Sequence, residues 1–186
     1  MFTDYWGHSR DERAERLYSR VMTTPRHGSE TGERTPWLPP RWFVVLAWKV
    51  HRALFRLTGG RRGLWRARPE RWGALRLTTT GRRSGQERSV IVGYLEDGPN
   101  LVTLAMNGWG EAEPAWWLNL QAQPRCEVQL ADGPRHVVAH AATGEERSRL
   151  WDRWRTLDKD LDGLARRRPT ETAVVVLEPA PASREP

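Results

Sequence analysis

Cys126 is the single cysteine in a chain of 186 residues. That excludes an intramolecular disulfide and any cysteine-based zinc site, and points to a reducing, cytoplasmic setting. Long apolar runs are missing too. The longest, Trp42 to Trp48, is far too short to span a bilayer. The N-terminus is polar and charged, with no secretory signal pattern. No HExxH, CxxC or P-loop motif is present, so their metal and nucleotide chemistries have no foothold. Phenolic and benzyl side chains are scarce, three Tyr and three Phe, beside eleven Trp. Large flat faces are therefore available, for packing or for stacking on a planar ligand.

What the chain has in excess is positive charge, a net +7 from 30 Lys and Arg against 23 Asp and Glu. Such a surface attracts nucleic acid, an anionic membrane face or an acidic small molecule. The charge concentrates in one informative stretch, LRLTTTGRRSGQER, from Leu75 to Arg88. Leu75 and Leu77 alternate with Arg76 and Thr78, the period of a half-buried strand. The strand then runs into a Gly81-Arg-Arg-Ser-Gly85 turn and emerges on another strand. Arg82, Arg83 and Arg88 place three guanidinium groups around that turn, with hydroxyls from Thr79, Thr80 and Ser84 beside them. Forked donors and hydroxyls at a tight turn suit phosphate or carboxylate oxygens.

Residues 1–35 lack a sustained apolar pattern and read as a disordered tail, with a short helix possible over Arg10–Met22. Met22 offers a second start besides Met1. The domain is expected over 36–179, with 180–186 as a frayed end. Pro40 leads a basic amphipathic helix, Arg41–Leu57, that either covers the domain's core or lies on an anionic membrane surface. Ala74–Thr80, Ser89–Leu95 and Leu101–Ala105 read as a three-strand meander. A short helix over Pro114–Gln121 follows, then a Cys126–Leu130 and Arg135–Ala141 hairpin turned at Asp132-Gly133. A helix over Gly144–Arg155 and a buried strand over Thr172–Leu177 complete the pattern. The fold class is mainly β with helices (α+β), a small barrel of about six antiparallel strands with helices packed at its ends.

Several segments in order resemble the deazaflavin-dependent nitroreductase family of split β-barrels. They are LRLTTTGRRSGQERSV, YLEDGPNLVTLAMNGWG, PAWWLNLQAQP, TGEERSRLW and ETAVVVLEP, over about Trp37 to Pro179. The resemblance implies an oxidoreductase that takes hydride from the reduced 8-hydroxy-5-deazaflavin coenzyme (coenzyme F-420). The acceptor would be a quinone, enone or nitro compound. That coenzyme carries a phosphate and an oligoglutamate tail, which the basic turn would meet. By resemblance Arg82, Arg83, Ser84 and Arg88 hold the phosphate and tail. Ser89, Val90, Ile91 and Val92 run along the coenzyme and offer it backbone groups. Met106, Asn107, Gly108, Trp109 and Gly110 lie against the deazaflavin, and Trp117 faces the cofactor site. Trp116 and Asn119 fit mainly structural positions. No catalytic acid is assigned, and Asn107 is the candidate donor to a developing oxyanion.

One departure bears on substrate. The nitroreductase branch lines its acceptor pocket with tyrosines before the last strand. Here that stretch reads LDKDLDGLARRR and has none, which sets the chain apart from reduction of bicyclic nitroimidazoles. The alternatives to a deazaflavin enzyme are the same barrel holding FMN or haem, and a non-enzymatic basic module for nucleic acid or a membrane. Nucleic acid is not the expected partner, because no such motif appears and the arginines do not interleave with the aromatics. A homodimer is possible for barrels of this kind. Two metal-like patterns are set aside. DKDLDG lacks the closing glutamate of a calcium loop, Pro169 standing there. His136 and His140 lie about 13 Å apart along a strand.

Overall fold

The computed structural model describes residues 63–181. The expected tail 1–35, the helices over Arg10–Met22 and Arg41–Leu57, and residues 182–186 lie outside them. Six strands form the body: β1 Gly73–Thr80, β2 Glu87–Asp97, β3 Asn100–Leu104, β4 Arg125–Leu130, β5 Gly133–Ala141 and β6 Val174–Pro179. Three helices accompany them: α1 Ala115–Ala122, α2 Gly144–Leu157 and α3 Leu161–Ala165. The strands close in the order β1-β2-β3-β6-β5-β4, and every pairing is antiparallel.

Alternation decides which side chains fill this barrel. In β1, Leu75 and Leu77 are fully buried while Arg76 and Thr78, which alternate with them, are only half-buried. The partner strands obey the same rule, so Val92, Val128, Val137, Ala139, Val175 and Leu177 meet Leu75 and Leu77 inside. Each buried Val or Leu side chain contributes about 1.5–3 kcal/mol by leaving water. Helix α1 adds Trp116, Trp117 and Leu120 to this interior.

A second apolar cluster lies outside the barrel wall. Leu150 and Trp154 of α2 and Leu161 of α3 pack on Val102, Leu104, Val174 and Val176 of β3 and β6. Strand β6 is thus covered on both faces, which is why VVVL reads as a continuous apolar run. The hairpin of β2 and β3 is clamped to α2 by Asp97, which accepts two 2.8 Å hydrogen bonds from Arg149 and one of 2.7 Å from Arg153.

Two expectations need correction. The last strand starts at Val174, not Thr172, and runs on to Pro179. Thr172 leaves the ladder because Arg147 takes its carbonyl and Arg168 takes its hydroxyl. Helix α3 stands between the expected Gly144–Arg155 helix and the last strand, where the sequence reading places no element, because buried Leu161 and Leu164 tether that segment.

Candidate functional site

The turn between β1 and β2 is closed by its own backbone. Gly81 N donates to Gln86 O at 2.8 Å, and Gly85 N donates to Gly81 O at 2.7 Å. Gly85 sits at φ +67°, a conformation that side chains resist, and a Cβ on Gly81 would fall 2.9 Å from Ser84 Oγ. The spacing of the two glycines therefore sets a turn that turns Arg82, Arg83, Ser84 and Arg88 out to solvent, all exposed. None of the three arginines pairs with a carboxylate among the described residues. Arg88 donates to Gln86 Oε1 at 3.2 Å, and Arg83 has no partner among the described residues.

Helix α1 holds this turn from below. Asn119 is 5% exposed and uses both ends of its amide. Its Nδ2 donates to Thr79 Oγ1 at 3.1 Å, and its Oδ1 accepts from the backbone N of Arg82 at 3.2 Å and from Arg82 Nη1 at 3.5 Å. A buried amide with both groups matched is costly to disturb, so it fixes the turn on the barrel. Sequence reading makes Asn119 structural without finding this link. The signal that could have revealed it is a lone polar residue within the apolar WWLNL.

Beyond the turn, β2 has an unequal pair of edges. Glu87 to Tyr94 pair with β1 throughout, whereas β3 pairs only with Leu95 to Asp97. Residues 87–94 thus have no ladder on their second edge among the described residues. The Ser89 hydroxyl lies 3.0 Å from that of Thr78. Val90 and Val92 turn their side chains into the interior cluster, and Ile91 is half-buried. What this segment offers a ligand is therefore mainly main-chain N–H and C=O.

The other expected contact segment, Met106 to Gly110, is a tight loop after β3. Gly108 and Trp109 both adopt left-handed angles, φ 55° and 58°. Asn107 is exposed, and its carbonyl accepts from Gly110 N at 3.0 Å. Trp109 and Met106 are half-buried and rest against the outer cluster. Trp117 departs from expectation. Its ring is 6% exposed, belongs to the barrel interior and lies 6.4 Å from Trp116, so it fills the core instead of facing a ligand. Tyr94, the only tyrosine among the described residues, is 1% exposed, and its hydroxyl accepts from Ala67 N at 3.3 Å. Burial raises its pKa above the ordinary phenol value.

His140 sits 3.6 Å from Glu146, and the described residues contain no cluster of three metal-type ligands. Cys126 is half-buried, and loss of solvent pushes its thiol up to about 12.

A closed six-strand antiparallel barrel with a few helices is the split-barrel fold of F420-dependent reductases. Residues 48–179 match the sequence profile of the F420H(2)-dependent quinone reductase family, and the chain belongs to that family. It is an oxidoreductase that depends on reduced coenzyme F-420. An F420H(2)-dependent quinone reductase of Mycobacterium tuberculosis is 31% identical over 107 residues, which is 55% of this chain and 69% of that protein. A solved F420-H2-dependent reductase superposes with TM-score 0.52 at 26% identity, over 60% of this chain and 95% of the other. A second solved chain, a domain-swapped dimer, gives TM-score 0.55 at 25% identity, over 73% and 98%.

Proposed function

We propose that this enzyme reduces a quinone, with the deazaflavin coenzyme lying along the open edge of β2 and its anionic tail on the basic turn. The observation that carries this reading is the turn itself. Three exposed guanidiniums gather there, none in an ion pair with a carboxylate among the described residues, on a backbone held fast by Asn119. A coenzyme with a phosphate and several tail carboxylates fits that set, because arginine forks match both oxygen geometries. When bound, the coenzyme supplies the hydride, and the protein supplies position and electrostatics.

Arg82, Arg83, Ser84 and Arg88 hold the phosphate and tail. Ser89 to Val92 offer backbone groups to the ring system. The Met106–Gly110 loop forms the wall against which the ring rests, and its exposed Asn107 amide stands as a donor to the acceptor oxygen. The protein side of the reaction is then alignment at near-attack distance, with protons drawn from solvent. Enones and nitro compounds are weaker candidates as acceptors. Tyr94 is 1% exposed inside the barrel, so no tyrosine among the described residues is placed to donate to a nitro group.

The test is a titration of the full chain with oxidised coenzyme, read by tryptophan fluorescence with FMN in parallel. Reduction of menadione by the reduced coenzyme is then followed. Saturable quenching at low micromolar coenzyme, little effect from FMN, and turnover of menadione are expected. Quenching by FMN alone, or by neither, would refute the binding mode. Binding without menadione turnover would refute the acceptor.

A further inference from the structure

Arg168 is the last of three consecutive arginines and the only buried one, with its side chain wholly out of solvent. Its guanidinium reaches three separate pieces of chain. Nη1 donates to Ala105 O at 2.8 Å and to Thr172 Oγ1 at 2.9 Å, Nε donates to Gly110 O at 3.2 Å, and Nη2 donates to Glu113 Oε1 at 2.8 Å. Thr170 Oγ1 also donates to Glu113 Oε1, at 3.1 Å, so this carboxylate is itself held. The two carbonyls matter most. Ala105 and Gly110 stand at the two ends of the Met106–Trp109 loop, so one rigid fork pins both ends.

That loop needs pinning. Gly108 and Trp109 are consecutive left-handed residues, and for tryptophan this geometry persists only where the surroundings impose it. Within the loop the backbone bonds are few, Met106 N to Leu104 O at 2.8 Å and Gly110 N to Asn107 O at 3.0 Å. Burial strengthens the hold, since a desolvated guanidinium with committed donors cannot exchange its partners for water.

We propose that Arg168 is a positioning residue for hydride transfer. It holds the Met106–Gly110 loop in the one shape that sets the coenzyme ring against the acceptor. The inference rests on the placement of the ring against that loop given above. Arg168 does not touch the coenzyme's phosphate or tail, which meet a different turn. Its loss should therefore spare affinity and damage the reaction, since a displacement of the order of 1 Å costs about a hundredfold in rate.

The experiment uses the full chain with Arg168→Met and Arg168→Lys. Hydrogen exchange on the cofactor-free protein reads the loop. Titration with oxidised coenzyme reads affinity, and single-turnover reduction of menadione reads hydride transfer. For Arg168→Met, exchange at the 106–110 amides should rise about tenfold or more, with β4 and β5 unchanged. The Kd for coenzyme should move less than about threefold, and the hydride-transfer rate should fall at least about tenfold. Arg168→Lys keeps the charge but not the fork, so it should recover melting temperature and not rate. If the methionine variant does not fold, the lysine variant carries the comparison. Unchanged loop exchange, exchange rising across the whole barrel, or affinity and rate falling in equal measure would each overturn the proposal. So would a hydride-transfer rate within twofold of wild type. Failure of the wild type to bind coenzyme would instead overturn the function, and the exchange data would still show whether Arg168 holds the loop.

Discussion

Replacing Arg82 and Arg83 together by alanine removes two of the three guanidiniums at the turn and should leave the fold intact. Both are exposed, and Arg82 keeps its backbone hydrogen bond to Asn119 because that bond does not involve its side chain. The size of the loss follows from where the charges sit. Opposite unit charges 4 Å apart gain about 1 kcal/mol in water and about 4 kcal/mol at an effective dielectric of 20. An exposed turn lies near the lower figure, and a charge-assisted hydrogen bond to phosphate lifts it to about 1–1.5 kcal/mol per arginine. Two arginines then contribute about 2–3 kcal/mol, or about 30- to 140-fold in Kd. Because the attraction is exposed, salt should erode it, and at 1 M ionic strength wild type and variant should converge to within about tenfold. The assay is the fluorescence titration at low and high salt, with Arg135→Ala as a charge control, since Arg135 already pairs with Asp132 at 3.0 Å. A folded double variant with wild-type affinity at low salt would refute the tail-binding role. An equal loss in the control would refute a local effect in favour of net charge.

Asn119→Ala breaks the bridge from Thr79 to Arg82 inside the protein, so it should cost about 1–3 kcal/mol in chemical denaturation and weaken coenzyme binding as the turn loosens. Loss of stability with no change in affinity would remove Asn119 from the site. Asp97 has its pKa lowered, first by its hydrogen bond from Arg149 and then by both arginine charges. A lowered carboxylate stabilises the fold above its unfolded pKa and stops doing so as pH falls through the folded one. Melting temperature should therefore drop as pH is taken below about 4, and Asp97→Asn should flatten that drop. Identical acid profiles would show the clamp to be neutral. Cys126 has a raised pKa, so the unfolded chain ionises first as pH climbs and stability falls between about 9 and about 12. Cys126→Ala should lose less stability over that range, and the native thiol should stay unreactive to a disulfide reagent at pH 8 until denaturant is added.

The elements that announced themselves in the sequence are those whose pattern is local. Leu75 and Leu77 alternate with polar residues because one face of β1 is wet, and the glycines of the turn answer to a backbone angle that Gly85 adopts. These two facts placed the strands and the basic turn. What stayed hidden depends on partners far along the chain. Trp117 and Trp116 are adjacent tryptophans on a short helix, and nothing local says that both rings enter the barrel. The start of β6 was misplaced because Thr172 looks like a good strand residue until two arginines draw it out of the ladder. Arg168 was invisible for the same reason. Its neighbours Arg166 and Arg167 share its chemistry, and only the fold selects which of the three is dehydrated.

That selection separates two uses of one side chain. Arg149 and Arg153 on Asp97, Arg66 and Arg135 on Asp132, and Arg147 on Glu171 spend their charge on carboxylates at the surface, where screening leaves each bond worth little. Arg68, Arg125 and Arg166 also form no ion pair among the described residues, but they lie on different parts of the chain. Among the described residues, three guanidiniums without an ion pair gather on one turn between 82 and 88, and repulsion among them is relieved when an anion arrives. Arg168 is the opposite case. Its neutralising carboxylate, Glu113, is built into the fold, and its remaining donors go to the carbonyls of Ala105 and Gly110 and the hydroxyl of Thr172. An exposed arginine without a partner is free to bind, while a buried one with every direction committed is able only to hold. On the proposed binding mode, affinity for the coenzyme and alignment of its ring would rest on separate arginines, and the two sets of variants should separate them.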